Sequence, residues 1–169
     1  MTAVATDRDP GLVLRQAGSS DGAAVAHLLR LTDAHYGNPI KDAAGYQAVI
    51  ADILESGYSD IVIAWDGETP IGYALYTFLQ PTDGIGAQMF LKELFVGPEA
   101  RSRGIGRMLM KRMGEIAVAR GCLRLDWTAR LDNPRGLEFY DSLGGKQLTE
   151  RLYYRITDFD DFFRRISKD

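Results

Sequence analysis

Three things are scarce in this sequence: cysteine, a surplus of either charge, and long apolar runs. One cysteine in 169 residues cannot close an intrachain disulfide and argues against a secreted disulfide scaffold. The 20 Lys and Arg against 23 Asp and Glu leave a net charge of −3, which gives no overall positive field for nucleic acid or acidic lipid. No apolar run approaches the roughly 20 residues that cross a bilayer, and two histidines with one cysteine indicate no zinc cluster. We therefore expect a cytoplasmic protein that binds no metal, nucleic acid or membrane.

The composition is that of a compact globular protein. Hydrophobic residues make up 46% and charged residues 25% of the chain, so a substantial core can form. The length is typical of one domain, and we predict a single domain over residues 1–169. Residues 1–11 are small and polar and lack the basic start and apolar stretch of an export signal. We expect them to form a flexible tail.

Hydrophobic periodicity predicts a mixed α/β protein. Alternating or β-rich apolar runs predict strands at residues 12–16, 61–65, 71–79, 89–96, 123–128 and 147–154. Apolar residues at helical spacing, with capping residues and terminal glycines, predict helices at residues 21–34, 42–56, 104–120 and 133–143, and one or two turns at 158–166. Two helices thus precede most of the sheet.

The junction at residues 96–107 (VGPEARSRGIGR) joins a strand to an amphipathic helix. Its two glycines and three arginines are Gly104, Gly106, Arg101, Arg103 and Arg107. A helix start leaves backbone N–H groups without partners, and glycine lets a ligand approach the main chain closely. The arginines add charged donors, so the segment predicts a phosphate or pyrophosphate site. The segment is not a Rossmann turn, which requires glycine where Leu109 stands, and it is not a Walker loop, which requires Gly-Lys-Ser/Thr. The alternative to a phosphate site is a tight turn with solvated arginines.

This junction resembles the acetyl-coenzyme A signature of the GNAT N-acetyltransferase superfamily, in the pattern Arg101-x-x-Gly104-x-Gly106 after a strand. A second block, residues 132–144 (DNPRGLEFYDSLG), is similar to the Asn, Phe-Tyr and Gly segment of that superfamily. The resemblance follows the element order over residues 12–156, and its specific motifs cover residues 90–144. It implies a twisted, mixed, mostly antiparallel sheet flanked by helices, with central strands that splay after Val96.

The resemblance also implies where acetyl-coenzyme A (acetyl-CoA) binds. The pantetheine arm would enter the gap between the splayed strands and use the main chain of Leu94 and Val96, as an added strand does. The pyrophosphate would lie on Arg101, Arg103, Gly104, Ile105, Gly106 and Arg107. Asn133 would contact the cofactor arm, with a helix N-cap beside Pro134 as the alternative.

Acetyl transfer to an amine requires an unprotonated nucleophile, a stabilised oxyanion and a proton for the leaving thiolate. The resemblance assigns the last role, proton donation to the thiolate, to Tyr140. The alternative is a tyrosine that only packs in the core. An alkylamine has a pKa near 10.4, so an acid must help to remove its proton. Glu93, on the strand beside the acyl site, is the candidate. The alternative is that Glu93 is a solvated carboxylate, since the direction of the pleat decides which face of the sheet its side chain occupies.

Residues 71–76, 84–86 and 90–96 look most like the diamine and polyamine (spermidine/spermine, thialysine) acetyltransferases. Those relatives tend to carry two adjacent acids where this chain has Lys92 and Glu93, which counts against a polycationic substrate. Residues that are available to hold a cationic amine over the first two helices and the loop at 81–86 are Asp33, His35, Tyr36 and Asp83.

We interpret the chain as an acetyl-CoA-dependent N-acetyltransferase for a primary amine of a small molecule, such as a diamine, a polyamine or an amino-acid-like amine. Direct transfer in a ternary complex is expected, because a covalent route lacks a suitable nucleophile. The alternatives are an acetyltransferase for protein amino groups and a non-catalytic acyl-CoA sensor. Relatives are often dimers through their late strands and C-terminal segment, here residues 147–166, so the resemblance implies a homodimer.

Overall fold

The computed structural model of the chain describes residues 4–6, 9–80 and 86–167. They fall into two compact units, residues 1–129 and residues 130–169. The prediction of a single domain over residues 1–169 stays a prediction.

The first unit contains the sheet. Its strands are β1 (Val4–Thr6), β2 (Asp9–Gln16), β3 (Asp60–Asp66), β4 (Thr69–Leu79), β5 (Gln88–Val96) and β6 (Arg124–Trp127). Its helices are α1 (Gly22–Tyr36), α2 (Ala43–Leu54) and α3 (Ile105–Ala119). The second unit contains α4 (Pro134–Asp141) and α5 (Phe159–Ile166). The predicted helices and all but one of the predicted strands are confirmed within a few residues.

The six strands form one sheet in the order β1-β2-β3-β4-β5-β6. Every neighbouring pair is antiparallel except β5 and β6, which run parallel. The predicted fold class, a mixed and mostly antiparallel sheet flanked by helices, is confirmed. The last residue pair between β5 and β6 is Leu91 with Trp127, so the pairing of the two strands ends before Val96 and not after it.

The core of the first unit lies between the sheet and helices α1 and α2. Its buried members are Val25, Leu28, Ile53, Ile61, Ile63, Tyr73 and Phe95. The Tyr73 hydroxyl lies 3.1 Å from Thr32 Oγ1, which donates to the Leu28 carbonyl at 2.9 Å. On β3 and β4 the intervening residues Val62, Ala64, Ala74 and Tyr76 are buried too, because strand residues alternate between faces and α3 contacts this sheet as well.

Two sequence predictions differ from the structure. Part of the expected tail is strand, because Val4 and Ala5 pair with Leu14 and Val13 at the edge of the sheet, where main-chain groups otherwise lack partners. The strand predicted at residues 147–154 was wrong, since these residues form no strand. Strands need neighbouring strands, and the described part of the second unit contains none.

A half-buried ion pair connects β2 to the start of α1. Both terminal nitrogens of Arg15 donate to the two carboxylate oxygens of Asp21 at 2.7 Å, and the Gly18 amide donates to Asp21 at 2.8 Å. The hydrogen bonds from Arg15 lower the pKa of Asp21 against the opposing effect of burial. The negative form of Asp21 therefore stabilises the fold.

We expect Asp21→Asn to lower the free energy of unfolding at pH 7 by about 1–3 kcal/mol, the cost of a lost hydrogen bond to a charged group. A lowered pKa gives stability that is present above the ordinary Asp value of about 3.9 and is lost as the pH falls below it. The difference from wild type should therefore shrink at pH 3. Urea unfolding at both pH values measures it, with the exposed Asp52→Asn as control; an equal difference at both pH values would contradict the assignment.

Candidate active site

Strand β5 contains a β-bulge. Leu75 of β4 pairs with Glu93, but the next residue, Tyr76, pairs with Leu91, so Lys92 is an extra residue on β5. A bulge interrupts the alternation of side chains along a strand, and Lys92 and Glu93 line the same pocket. The pleat direction that the sequence left open is thereby decided: Glu93 faces the pocket.

The pocket lies over the sheet face that α1 and α2 cover, and its volume is about 180 Å³. Leu29, Val49 and Leu75 supply apolar wall. Its ionisable lining consists of two acids, two lysines and three tyrosines: Asp33, Glu93, Lys41, Lys92, Tyr36, Tyr46 and Tyr73. An apolar wall with a few convergent polar groups is the usual character of a small-molecule site.

Glu93 is the half-buried acid of this pocket. Burial raises the pKa of Glu93, while a hydrogen bond from the Tyr36 hydroxyl to Glu93 Oε1 at 3.2 Å and the charge of Lys92 oppose the rise. A carboxylate with a raised pKa accepts a proton more readily near neutral pH than an ordinary one. Glu93 is therefore a pocket carboxylate that binds a proton more readily than an exposed one.

Asp33 is the buried acid, and its oxygens are already engaged. It accepts hydrogen bonds from Lys41 Nζ at 2.9 Å, the Tyr46 hydroxyl at 2.9 Å and Asn38 Nδ2 at 3.2 Å. Burial alone would raise the pKa of Asp33, but these three donors together lower it. Asp33 thus joins the end of α1 to the following loop and to α2. The sequence carried no pattern that indicated this network.

The structure separates the four residues expected near the amine. Asp33 and Tyr36 line the pocket, as expected. His35 lies instead beside the turn after β5, with its Nδ1 atom 3.4 Å from Arg101 Nη2 and its ring centroid 5.9 Å from that of Phe95. Asp83 lies outside the described residues.

The main chain of Leu94 and Val96 points away from β4. The Gly97 amide donates to the Ile71 carbonyl at 2.9 Å, so this pair belongs to the hydrogen-bonded set of the antiparallel ladder. Because hydrogen-bonded and non-hydrogen-bonded pairs alternate, the pairs Val96 with Gly72 and Leu94 with Ala74 direct their amides and carbonyls outward. On that side the β6 ladder has ended at Leu91.

The turn after β5 places a helix start next to this strand end. A single 3₁₀ turn, Pro98–Ala100, leads into α3, and both Ser102 (φ 64°) and Gly104 (φ 79°) adopt the left-handed conformation. Gly104 is the N-cap of α3 and offers no side-chain cap. The amides of Ile105 and Gly106 therefore begin the helix without intrahelical acceptors, in the geometry that binds anions.

The three arginines of the turn have different surroundings. Arg101 Nε donates to the Val96 carbonyl at 3.2 Å, which holds its side chain at the end of β5. Arg103 forms an ion pair with Asp66 at 2.7 Å, at the β3–β4 turn, so an anion at the helix start would compete with Asp66 for it. Arg107 is exposed on the first turn of α3.

The two remaining predicted residues belong to the second unit. Asn133 is the N-cap of α4, and its side-chain oxygen accepts from the Gly136 amide at 3.1 Å; the capping role that the sequence left open is therefore confirmed. Tyr140 is half-buried on α4, with its ring centroid 5.3 Å from that of Phe139.

In the part of the chain that the structure describes, every helix is too short or too polar to span a bilayer. The same residues contain no group of three or more His, Cys, Asp or Glu side chains placed to hold a metal ion.

The mixed sheet, the interrupted β5–β6 ladder and the glycine-rich helix start define an acyltransferase-type α/β fold. Comparison with known proteins identifies the family: residues 26–144 match the acetyltransferase (GNAT) family. The chain belongs to this enzyme family, as the sequence motifs predicted.

Individual proteins agree with this assignment. Thialysine N-epsilon-acetyltransferase of Bos taurus is 32% identical over 105 residues, which are 62% of this chain and 58% of that protein, so the chain spans little more than half the length of this relative. An integron cassette protein from V. cholerae shares the fold with a TM-score of 0.79 and 27% identity, covering 94% of this chain and 99% of that one. The aminoglycoside N-acetyltransferase AAC(6')-Iy, solved in complex with CoA, superposes with a TM-score of 0.72 at 19% identity over 90% of this chain and 99% of that one.

We expect Tyr46→Phe to lower the free energy of unfolding by about 1.5–3 kcal/mol, because it deletes a hydrogen bond to the charged and buried Asp33. Urea unfolding followed by circular dichroism measures the change. Tyr58→Phe is the matched control, since its side chain is exposed and its loss should change stability by less than about 0.5 kcal/mol. Equal effects of the two substitutions would show that the Asp33 network contributes nothing.

Proposed function

We propose that the chain is an acetyl-CoA-dependent N-acetyltransferase that transfers the acetyl group directly to a primary amine of a small molecule in a ternary complex. One observation carries this proposal. Strand β5 presents outward main-chain groups at Leu94 and Val96, and its neighbouring residue Glu93 faces a pocket of small-molecule character. A cofactor arm on this strand and an amine in the pocket would therefore meet at β5.

The chain supplies fitting groups for the cofactor. The outward amides and carbonyls of Leu94 and Val96 suit a pantetheine arm, which carries amides of its own. For the pyrophosphate we assign the helix start together with the arginines: Arg101, Arg103, Gly104, Ile105, Gly106 and Arg107. When bound, acetyl-CoA supplies the thioester carbonyl that the amine attacks. We assign Asn133 the helix cap as its main role and a contact to the cofactor arm as its second.

Glu93 serves as the general base in this proposal. An alkylamine is almost wholly protonated at neutral pH because its pKa is near 10.4, and only the neutral amine is a nucleophile. Glu93 accepts the proton, directly or through one water. The raised pKa of Glu93 reduces the difference between its pKa and that of the ammonium group from which it accepts the proton.

Tyr140 serves as the proton donor to the leaving thiolate. A tyrosine hydroxyl holds its proton at neutral pH and can donate it to the leaving sulfur as negative charge develops there. Asn133 begins α4 and thereby sets the helical position of Tyr140 seven residues later. A protein that only sensed acyl-CoA would have no need of a proton donor at the sulfur.

Two further parts of the proposal concern the protein's setting. We assign it to the cytoplasm on the strength of its single cysteine. We also propose a homodimer, supported by the exposed apolar side chains of the second unit, among them Leu152, Tyr153, Tyr154 and Phe163. Sedimentation equilibrium of the full chain measures its mass in solution.

The direct test is release of free coenzyme A thiol from acetyl-CoA in the presence of amines. The panel contains diamines, lysine analogues, aminoglycosides and a peptide with a free amino group. Thiol release with at least one small amine is the expected result. Tight acetyl-CoA binding without release from any amine would favour the sensor, and release with the peptide alone would favour a protein acetyltransferase.

We expect Tyr140→Phe to lower kcat by about 10²-fold while the Kd for acetyl-CoA stays within twofold, because the substitution removes a proton donor and keeps the ring. Steady-state kinetics and calorimetric titration with acetyl-CoA measure the two quantities. Tyr58→Phe, at an exposed position that does not line the pocket, is the control. An unchanged kcat in Tyr140→Phe would remove its assigned role.

We expect Tyr36→Phe to move the acidic limb of the kcat/KM profile to higher pH. The Tyr36 hydroxyl lowers the pKa of Glu93 by hydrogen bonding, so its removal raises that pKa, and the base is then ionised only at higher pH. In Glu93→Gln the limb should vanish and kcat/KM should fall by about 10²–10⁴-fold. A limb that persists in Glu93→Gln would show that another group titrates.

A further inference from the structure

We infer that the amine acceptor also carries a carboxylate, and that Lys92 is the residue that selects it. This inference rests on the proposed function and concerns the acceptor pocket of the same site. It assigns the substrate to the amino acids and their relatives, and it excludes plain diamines and polyamines as the preferred acceptors.

The charges of the pocket leave one acid for the acceptor. Its lining contains two acids and two lysines, so the formal charges balance. Asp33 is occupied by Lys41, Tyr46 and Asn38, which leaves Glu93 as the carboxylate that faces an incoming ammonium group. A pocket that binds a polycation needs an excess of acid, and the described part of the lining has none.

Lys92 is the complementary cation. Among the described residues no carboxylate lies within ion-pair distance of the Lys92 ammonium, whereas Lys41 is paired with Asp33 at 2.9 Å. The side chain of Lys92 is exposed at the pocket, where its flexible stem can move toward a ligand. The second charge of a diamine would meet this cation and be repelled, while a carboxylate would be attracted.

The bulge places the charged side chains of Lys92 and Glu93 within reach of one ligand. On a regular strand the consecutive residues Lys92 and Glu93 would face opposite sides of the sheet. Here both line one pocket, with Cα atoms about 3.8 Å apart. An acceptor with an amine at one end and a carboxylate a few bonds away can therefore contact both residues at once.

The size of the pocket agrees with such a ligand. Its volume of about 180 Å³ lies below the roughly 300–1,000 Å³ that is usual for sites of drug-sized molecules. An amino acid with an aminoalkyl side chain is small enough for a pocket of this volume, whereas an aminoglycoside is a drug-sized molecule that requires a larger site.

The test uses three amines of matched chain length: L-lysine, L-lysinamide and cadaverine. Lysinamide replaces the carboxylate by an uncharged carboxamide of similar size, and cadaverine lacks the group altogether. We expect kcat/KM for lysine to exceed that for each of the others by about tenfold or more, the value of one charge-assisted hydrogen bond. In Lys92→Gln the ratio of kcat/KM for lysine to kcat/KM for either of the other amines should fall to within about twofold of one. In Lys92→Glu cadaverine should become the better substrate.

The ratio is the informative quantity, because Lys92 also influences Glu93. A change in the base affects all three amines equally and cancels in the ratio of their kcat/KM values. Lys111→Gln is the matched control, since Lys111 is exposed on α3 and does not line the pocket; it should leave the ratio at the wild-type value. Thermal unfolding of each variant verifies that the fold is retained.

Two results would overturn the inference: equal kcat/KM for lysine and lysinamide in the wild type, or a lysine preference that survives in Lys92→Gln. If no amine releases thiol, the proposed function fails, and equilibrium binding then decides the inference separately. Calorimetric titration of the full chain with lysine and with cadaverine should still show tighter binding of lysine that Lys92→Gln abolishes. Equal binding of the two amines would refute the role of Lys92.

Discussion

The hydrogen bonding of β5 changes along its length. On one side β5 is paired with β4 from Gln88 to Val96. On the other side β6 pairs with it only from Gln88 to Leu91. Beyond Leu91 no described strand pairs with the outward main-chain groups of Leu94 and Val96, although the Val96 carbonyl accepts one hydrogen bond from Arg101 Nε. Main-chain groups are strong hydrogen-bonding groups that need partners. An extended ligand with amides of its own is the natural partner, so the early end of β6 is the condition on which the proposed cofactor site depends.

The bulge at Lys92 lies next to the point where the ladder ends. Leu91 makes the last pair with β6, and Lys92 is the extra residue opposite β4. Bulges bend a strand and increase its twist, and this one directly follows the last residue that pairs with β6. The same irregularity turns Glu93 and Lys92 to one side. A single extra residue thus places both charges in the pocket, next to the end of the β5–β6 pairing.

The pocket also depends on a second constraint, the engaged state of Asp33. A buried carboxylate without partners is costly, and here three donors from α2 and from the loop between α1 and α2 satisfy it. Because this acid is used within the protein, the described lining of the pocket presents one half-buried acid, Glu93, and one cation without an ion pair, Lys92. In our proposal this adjacent pair of opposite charges sets the substrate preference of the pocket.

Sequence patterns were enough to place the helices and most strands, and the Arg101 to Gly106 pattern and the block at residues 132–144 indicated an acetyltransferase. These features are local, because helix caps, glycine turns and apolar spacing act within a few residues. The prediction failed at residues 147–154, where the residue types suggested a strand but the described part of the second unit provides no neighbouring strand. The folded chain alone reveals the face of Glu93, the engagement of Asp33 by Lys41 and Tyr46, and the pairing of Arg103 with Asp66. Each of these depends on register or on contacts between elements, and a shift of one residue in a strand reverses every side chain.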